Sequence, residues 1–251
     1  GREGPITGLR AEDFDVRDHG VPQRLDSASI ETVPLRVILA FDVSGSLKGD
    51  KLPQLKRGSA ALLDRLRPGD DAALLTFADT LGLRHDFGGD LGGLRAEIDG
   101  LQAEGGTSLI DGVLAATALG DSLPDTKPLL VVFTDGQEST SWLPPAEVLE
   151  AVKRSEAVLY GVAVVPSVHA RADVSSFLWD AAATTGGRVL AVAEPNRLRQ
   201  AFVEIVDEFR TRYLLRYTPN GVPRAGWHEL DVRVKGRSAK VLARKGYLVG
   251  R

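Results

Sequence analysis

The sequence predicts an α/β fold: a doubly wound, mostly parallel sheet with helices on both faces, plus a small β-unit formed by the N- and C-terminal segments. Three observations carry this reading. Strand-sized apolar runs alternate with helical periodicities through the middle of the chain, the pattern of a parallel sheet covered on both sides. Two of those runs, LRVILAFD (Leu35 to Asp42) and PLLVVFTD (Pro128 to Asp135), are built to be buried and yet end in an aspartate. The two chain ends lack a helical period and read as short extended pieces.

Each element follows from local sequence. FDVRDHGVPQRL gives two extended pieces around an Asp18-His19-Gly20 turn. After the strand ending at Asp42, apolar residues at Leu52, Leu55, Ala60, Leu62, Leu63 and Leu66 predict a helix from about Asp50 to Leu66, stopped by Pro68-Gly69. DAALLTF (Asp71 to Phe77) is the next strand, and TLGLRHDF returns antiparallel after a tight turn. Short helices are expected over Leu91 to Leu101 and Ser108 to Leu119. Beyond Asp135 come a helix near Pro145 to Ser155, the strand AVLYGVAVV, a helix around Val174 to Thr184, the strand RVLAVA and a helix from about Asn196 to Arg210. YLLRYTP, WHELDVRV and AKVLARKGYLV then read as three strands separated by turns. The expected organisation is an N-terminal β segment over 1–33, the α/β domain over 34–211, and a C-terminal β segment over 212–251 that pairs with the first, since chain ends commonly lie close together.

Composition narrows the function. With 251 residues, 43% of them hydrophobic, the chain is long enough for one sizeable core. No apolar run approaches the ~20 residues that span a bilayer, so direct membrane insertion is not expected. A net charge of -3 with mixed signs leaves no basic footprint for nucleic acid. The absence of cysteine excludes disulfides, zinc-thiolate sites and cysteine nucleophiles. The histidines, His19, His85, His169 and His228, are scattered over different segments, which argues against a histidine metal site or a catalytic histidine. The chain starts Gly-Arg-Glu and contains no methionine, so any initiator, signal peptide or anchor has been removed or was never included.

In an open parallel sheet, ligands sit outside the carboxyl ends of the strands, where the winding reverses. Asp42 and Asp135 both belong there, and between them GGTSLIDG (Gly105 to Gly112) presents Thr107 just before a helix. If the two strands are neighbours, the site gathers Asp42, Ser44, Ser46, Thr107 and Asp135, an all-oxygen set. Oxygen donors suit a hard divalent cation, Mg2+, Mn2+ or Ca2+, and argue against zinc or copper. Residues two apart in an extended turn face the same way, so Asp42, Ser44 and Ser46 can face one ion while Gly45 allows the bend.

These residues resemble the metal-ion-dependent adhesion site (MIDAS) of von Willebrand factor type A (VWA, integrin I-like) domains. That site reads Asp-x-Ser-x-Ser, then a separate Thr, then Asp in a Thr-Asp-Gly context. Here the matches are DVSGS, GGTS and FTDG, and the resemblance covers roughly Pro34 to Arg210. It implies a Rossmann-like VWA fold and a complete MIDAS, with Ser44, Ser46 and Thr107 as direct ligands and with Asp42 and Asp135 supplying charge and orienting waters. An acidic side chain of a partner protein, Asp or Glu, would then complete the shell. It further implies a coupling in which the last helix, Asn196 to Arg210, shifts when the metal shell changes. The flanking GLRAEDFDVRDHGVPQRL and ARKGYLV resemble those of bacterial VWA-containing exported proteins, which implies an extracytoplasmic location: periplasmic, cell-surface or secreted.

Blander readings stand beside these. Asp42 alone could cap the next helix, and Ser44 and Ser46 could be ordinary loop serines. Asp111 either braces its loop or stabilises the helix dipole. Glu138 and Ser139 read as solvated rim residues, Asp70 and Asp71 as servants of the Pro68-Gly69 turn, and Trp142 as either an exposed partner contact or a packing residue. The favoured function is a non-enzymatic, divalent-metal-dependent protein-binding module for adhesion or assembly. The alternatives are a structural domain of an exported assembly with a stabilising metal, and a metal-assisted hydrolase. No G-x-S-x-G elbow or Walker-type loop supports the last.

Overall fold

A computed structural model of the protein describes residues 5–30, 33–123, 126–135, 138–165 and 176–250. His169 and the first expected residues of the Val174 helix lie outside the described residues. In chain order the strands are β1 (Phe14–Asp18), β2 (Val21–Gln23), β3 (Leu25–Ile30), β4 (Arg36–Asp42), β5 (Asp71–Phe77), β6 (Leu81–His85), β7 (Leu129–Thr134), β8 (Val158–Val164), β9 (Val189–Val192), β10 (Tyr213–Tyr217), β11 (Gly226–Val234) and β12 (Gly246–Val249). The helices are α1 (Lys51–Leu63), α2 (Leu91–Gly100), α3 (Leu109–Asp121), α4 (Pro145–Arg154), α5 (Ser176–Thr185) and α6 (Leu198–Arg210).

The central sheet has six strands in the order β6-β5-β4-β7-β8-β9, parallel except for the antiparallel edge strand β6. Its inner strands are buried on both faces, which is why they read as unbroken apolar runs. Alternation along β4 divides the core. Val37, Leu39 and Phe41 join Leu55 and Leu62 of α1, Leu94 of α2 and Phe202 of α6 on one side. Ile38 and Ala40 join Val113 of α3, Val148 of α4 and Phe177 of α5 on the other. The fold class therefore matches the sequence: an α/β sheet wound on both faces.

Winding reverses at β4. The chain leaves β4 for β5 on one side and later returns to place β7 on the other, so the crevice between the carboxyl ends of β4 and β7 is the switch point. The register pairs Phe41 with Phe133, which sets Asp42 beside Thr134 and Asp135. Helix α3 is drawn close to this end because Gly112, in its first turn, lies against the Phe77 ring; a Cβ at position 112 would stand 2.6 Å from Phe77 Cγ.

The chain termini pair with each other. A four-stranded sheet runs β12-β11-β1-β2, and β3 and β10 form a separate antiparallel ribbon. Between β1 and β2, His19 (φ 50) and Gly20 (φ 80) are both left-handed, the backbone of a two-residue type I′ turn. Asp18 is fully buried here and accepts hydrogen bonds from Tyr217 (2.8 Å) and Tyr247 (2.6 Å), while His228 Nδ1 stands 2.9 Å from its other oxygen. Burial alone would raise this carboxyl, but the hydrogen bonds from Tyr247, Tyr217 and His228 and the charge of His228 outweigh it and hold Asp18 below the ordinary aspartate value.

Three elements differ from the sequence reading. Only Gly246–Val249 of AKVLARKGYLV is a strand. The Arg244 guanidinium donates instead to the carbonyls of Gly246, Lys153 and Ser155, and the Lys245 amide to Thr184 O, so the preceding residues follow the ends of α4 and α5. Helix α1 stops at Leu63, and the last helix begins at Leu198 after a single 3-10 turn over Pro195–Arg197. Asp70 does more than serve its turn: it accepts from the amides of Leu35 and Arg67 and pairs with Arg210 at the end of α6. No helix among the described residues is long and apolar enough to cross a membrane.

Candidate functional site

Four of the five candidate residues lie in one hydrogen-bonded network at the switch point. The Asp42 carboxylate, fully buried at the end of β4, accepts from the Ser44 amide at 2.8 Å and from the Thr134 hydroxyl at 2.7 Å. It does not cap α1, whose preceding residue is Asp50. The Ser44 and Ser46 hydroxyls share a hydrogen bond at 3.0 Å, and Ser46 Oγ donates to Asp135 Oδ1 at 2.6 Å. The second oxygen of Asp135 receives Lys51 Nζ at 2.5 Å. Thr107 belongs to an adjacent loop pinned to the first by the Gly45 amide, which donates to Gly105 O at 2.9 Å. Its own amide donates to Ser139 Oγ at 2.9 Å, and Thr107 is buried.

Electrostatics set Asp42 apart. Burial pushes its carboxyl up to about 6, against the hydrogen bonds from Ser44 and Thr134, and the nearby charge of Asp135 adds to the rise. A buried carboxylate with a second carboxylate across a serine bridge is a place where extra positive charge is favourable. Among the described residues no group of three or more His, Asp or Glu side chains is placed to hold a metal ion, so any cation here must rely on hydroxyl oxygens besides the two carboxylates.

Comparison with known proteins bears on the fold that carries this site. The sequence profile of the von Willebrand factor type A domain matches residues 37–137, the stretch from β4 through the loop after β7. The central α/β unit has the Rossmann-like fold of von Willebrand factor type A domains and is similar to them in sequence over residues 37–137. A solved "von Willebrand factor type A from Catenulispora acidiphila" shares its fold with a TM-score of 0.63 at 18% identity, over 79% of this chain and 50% of that one. So does proximal thread matrix protein 1 from the mussel byssus, solved with a zinc-occupied MIDAS motif, with a TM-score of 0.61 at 17% identity over 76% and 49%. Inter-alpha-trypsin inhibitor heavy chain H4 of Homo sapiens is 26% identical over 233 residues, 86% of this chain and 25% of that protein. The chain thus spans about a quarter of the length of the curated relatives it matches first.

The rim of the site is more ordered than its sequence suggested. Glu138, expected to be solvated, accepts from the Ile110 amide at the start of α3, from the amides of Thr140 and Ser141, and from the Ser141 hydroxyl. A carboxylate at a helix N-terminus meets unpaired amides and the positive end of the dipole. Asp111 braces the same loop from below, accepting from the amides of Trp142 (2.9 Å) and Leu143 (3.2 Å). With its backbone held this way, the Trp142 side chain is 92% exposed, so the packing alternative for this residue fails.

Three residues of the candidate site escaped sequence reading. Thr134 stands inside FTD itself but reads as an ordinary strand residue until its partner on β4 is known. Asp79 holds the Thr107 loop by accepting from the Gly106 amide at 2.7 Å; its signal was that β5, too, is followed by an aspartate at the same edge of the sheet. Lys51 gave no signal beyond its closeness in sequence to Ser46.

Proposed function

We propose that this VWA domain is a divalent-metal-dependent protein-binding module for adhesion or assembly, recognising an Asp or Glu side chain of a partner, and that it works on the extracytoplasmic side. The observation that carries the reading is the 3.0 Å separation of the Ser44 and Ser46 hydroxyl oxygens. Neighbouring oxygens in an octahedral shell with bonds of about 2.1 Å stand about 3 Å apart, so this pair suits an Mg2+-sized ion. The donor chemistry fits as well, since every side chain at the site apart from Lys51 offers oxygen. Ser44, Ser46 and Thr107 would hold the ion, while Asp42 and Asp135 orient its waters and supply charge. A bound divalent ion supplies an electrophilic position for a carboxylate oxygen. The chain's own part is to keep the hydroxyls fixed: Asp42 anchors the Ser44 turn, Asp79 and Ser139 anchor the Thr107 loop, and Glu138 and Asp111 hold the rim that presents Trp142. Trp142 is then an aromatic contact beside the charged centre, the kind of residue that dominates interface energetics. The resemblance of the flanks to those of exported bacterial VWA proteins supports the location.

Calorimetric titration with Mg2+, Mn2+ and Ca2+ tests the metal. Wild type is expected to bind at one site and Ser46→Ala, an exposed position, to lose most of the affinity while keeping its fold. Immobilised protein should capture its partner in Mg2+ and release it in EDTA. Equal capture in both, with the metal still raising the melting temperature, would replace the binding module by a structural domain with a stabilising metal.

A further inference from the structure

Lys51, the first residue of α1, reaches back into the site. Its Nζ donates to Asp135 Oδ2 at 2.5 Å and to the Ser46 carbonyl at 3.2 Å. The Asp135 side chain is wholly buried and the Lys51 side chain is 36% exposed, so the ammonium enters from the solvent side and covers the carboxylate. Both Asp135 oxygens are therefore engaged, one by the Ser46 hydroxyl and one by Lys51. Among the described residues no cation pairs with Asp42, whose partners are the Ser44 amide and the Thr134 hydroxyl.

We propose that Lys51 is a tethered counter-ion that competes with the divalent cation for the Asp135 side of the site. This rests on the metal-binding reading above. An ammonium on Asp135 Oδ2 and a dication gathered by Ser46, whose hydroxyl touches Asp135 Oδ1, would stand within a few ångströms of each other, well inside a Debye length, around a carboxylate side chain that is itself buried. Mutual repulsion makes the two occupancies exclusive. Metal entry then requires the Lys51–Asp135 pair to open, and the four-carbon stem of a partly exposed lysine lets the ammonium swing to solvent without moving α1. The consequence is a site whose metal affinity is held down by its own chain. Lys51 keeps the buried carboxylate paired whenever the ion is scarce, a state in which an unpaired buried charge would otherwise be costly.

The test uses the whole chain, with Lys51→Met to remove the charge at similar length and Lys51→Arg to keep it. In calorimetry with MgCl2, Lys51→Met is expected to bind at least tenfold tighter than wild type, and Lys51→Arg to stay within about threefold of wild type. Reductive 13C-methylation of the wild-type lysines gives a second readout that does not depend on Lys51→Met folding. The Lys51 resonance, assigned by its absence from Lys51→Arg, should move during Mg2+ titration with the midpoint seen in calorimetry. Equal or weaker Mg2+ binding by Lys51→Met, or a Lys51 resonance indifferent to Mg2+, overturns the competition while leaving the metal site standing. If neither wild type nor either variant binds Mg2+, Mn2+ or Ca2+, the metal-binding reading fails and this inference fails with it.

Discussion

The Thr134 hydroxyl donates to Asp42 Oδ2 at 2.7 Å, joining the ends of two neighbouring strands that lie 92 residues apart in the chain. The contact exists because the parallel register sets Phe41 against Phe133 and so carries the next residues into reach. Thr134→Val keeps the shape and removes the donor, leaving a buried carboxylate one partner short. The expected loss is about 1–3 kcal/mol in urea unfolding at pH 7, largely recovered in Thr134→Ser.

Asp18 makes stability depend on acid. Its folded pKa lies below the ordinary value of 3.8, so the unfolded chain binds more protons as the pH falls. The stabilisation is fully present above the unfolded value and is lost as the pH drops through the lower, folded one. Unfolding free energies measured between pH 2 and pH 6 should therefore fall more gently in Asp18→Asn than in wild type at the acid end. At pH 7 the variant should be less stable by about 1–3 kcal/mol, because two tyrosines and a histidine lose a charged acceptor. Identical acid slopes in the two proteins would refute this role.

Asp111 should control access to the rim. Its carboxylate holds the amides of Trp142 and Leu143, so Asp111→Ala frees a loop whose exposed aromatic is a chymotrypsin site. Chymotrypsin under native conditions should cut after Trp142 several-fold faster in the variant, read by mass spectrometry of the fragments. Cleavage at the wild-type rate would mean that Glu138 alone suffices to hold the loop.

Gly112 sets two effects against each other. Alanine would favour the helix by about 1 kcal/mol, but its Cβ would stand 2.6 Å from the Phe77 ring. Overpacking in a filled core costs about 1–3 kcal/mol, and this ring is walled in by β5 and α3. Gly112→Ala is expected to lower the midpoint of thermal unfolding, with Phe77→Leu partly restoring it in the double variant.

Legibility in the sequence tracked how local each cause was. The buried strands announced themselves because a parallel strand is apolar on both faces, and a charged residue closing such a run stands out, as Asp42 and Asp135 do. Thr107 could be singled out by the Gly-Gly turn before it. The residues before Gly246 misled because their alternation is strand-like, whereas the carbonyls that capture Arg244 come from α4 and its following turn, some 90 positions away. Lys51 and Thr134 were silent, and Glu138 was read only as a solvated rim residue, for the same reason. Each is chemically ordinary until a distant backbone delivers its partner, and only the register of β4 on β7 and the placement of α3 do so.

The pairing of β1 with β11, which sets Phe14 opposite Val234, also fixes an order of assembly. Strands so far apart in the chain cannot meet until the last of them has been synthesised, and closing so long a loop is slow unless the ends are already near each other. The compact α/β unit brings them near, since it starts just after β3 and finishes just before β10. During synthesis β1, β2 and β3 must therefore wait with open edges, a period in which they are exposed to pairing with other chains. Refolding should show two phases, the sheet with Phe41 and Phe133 forming first and the tyrosine clasp on Asp18 closing last.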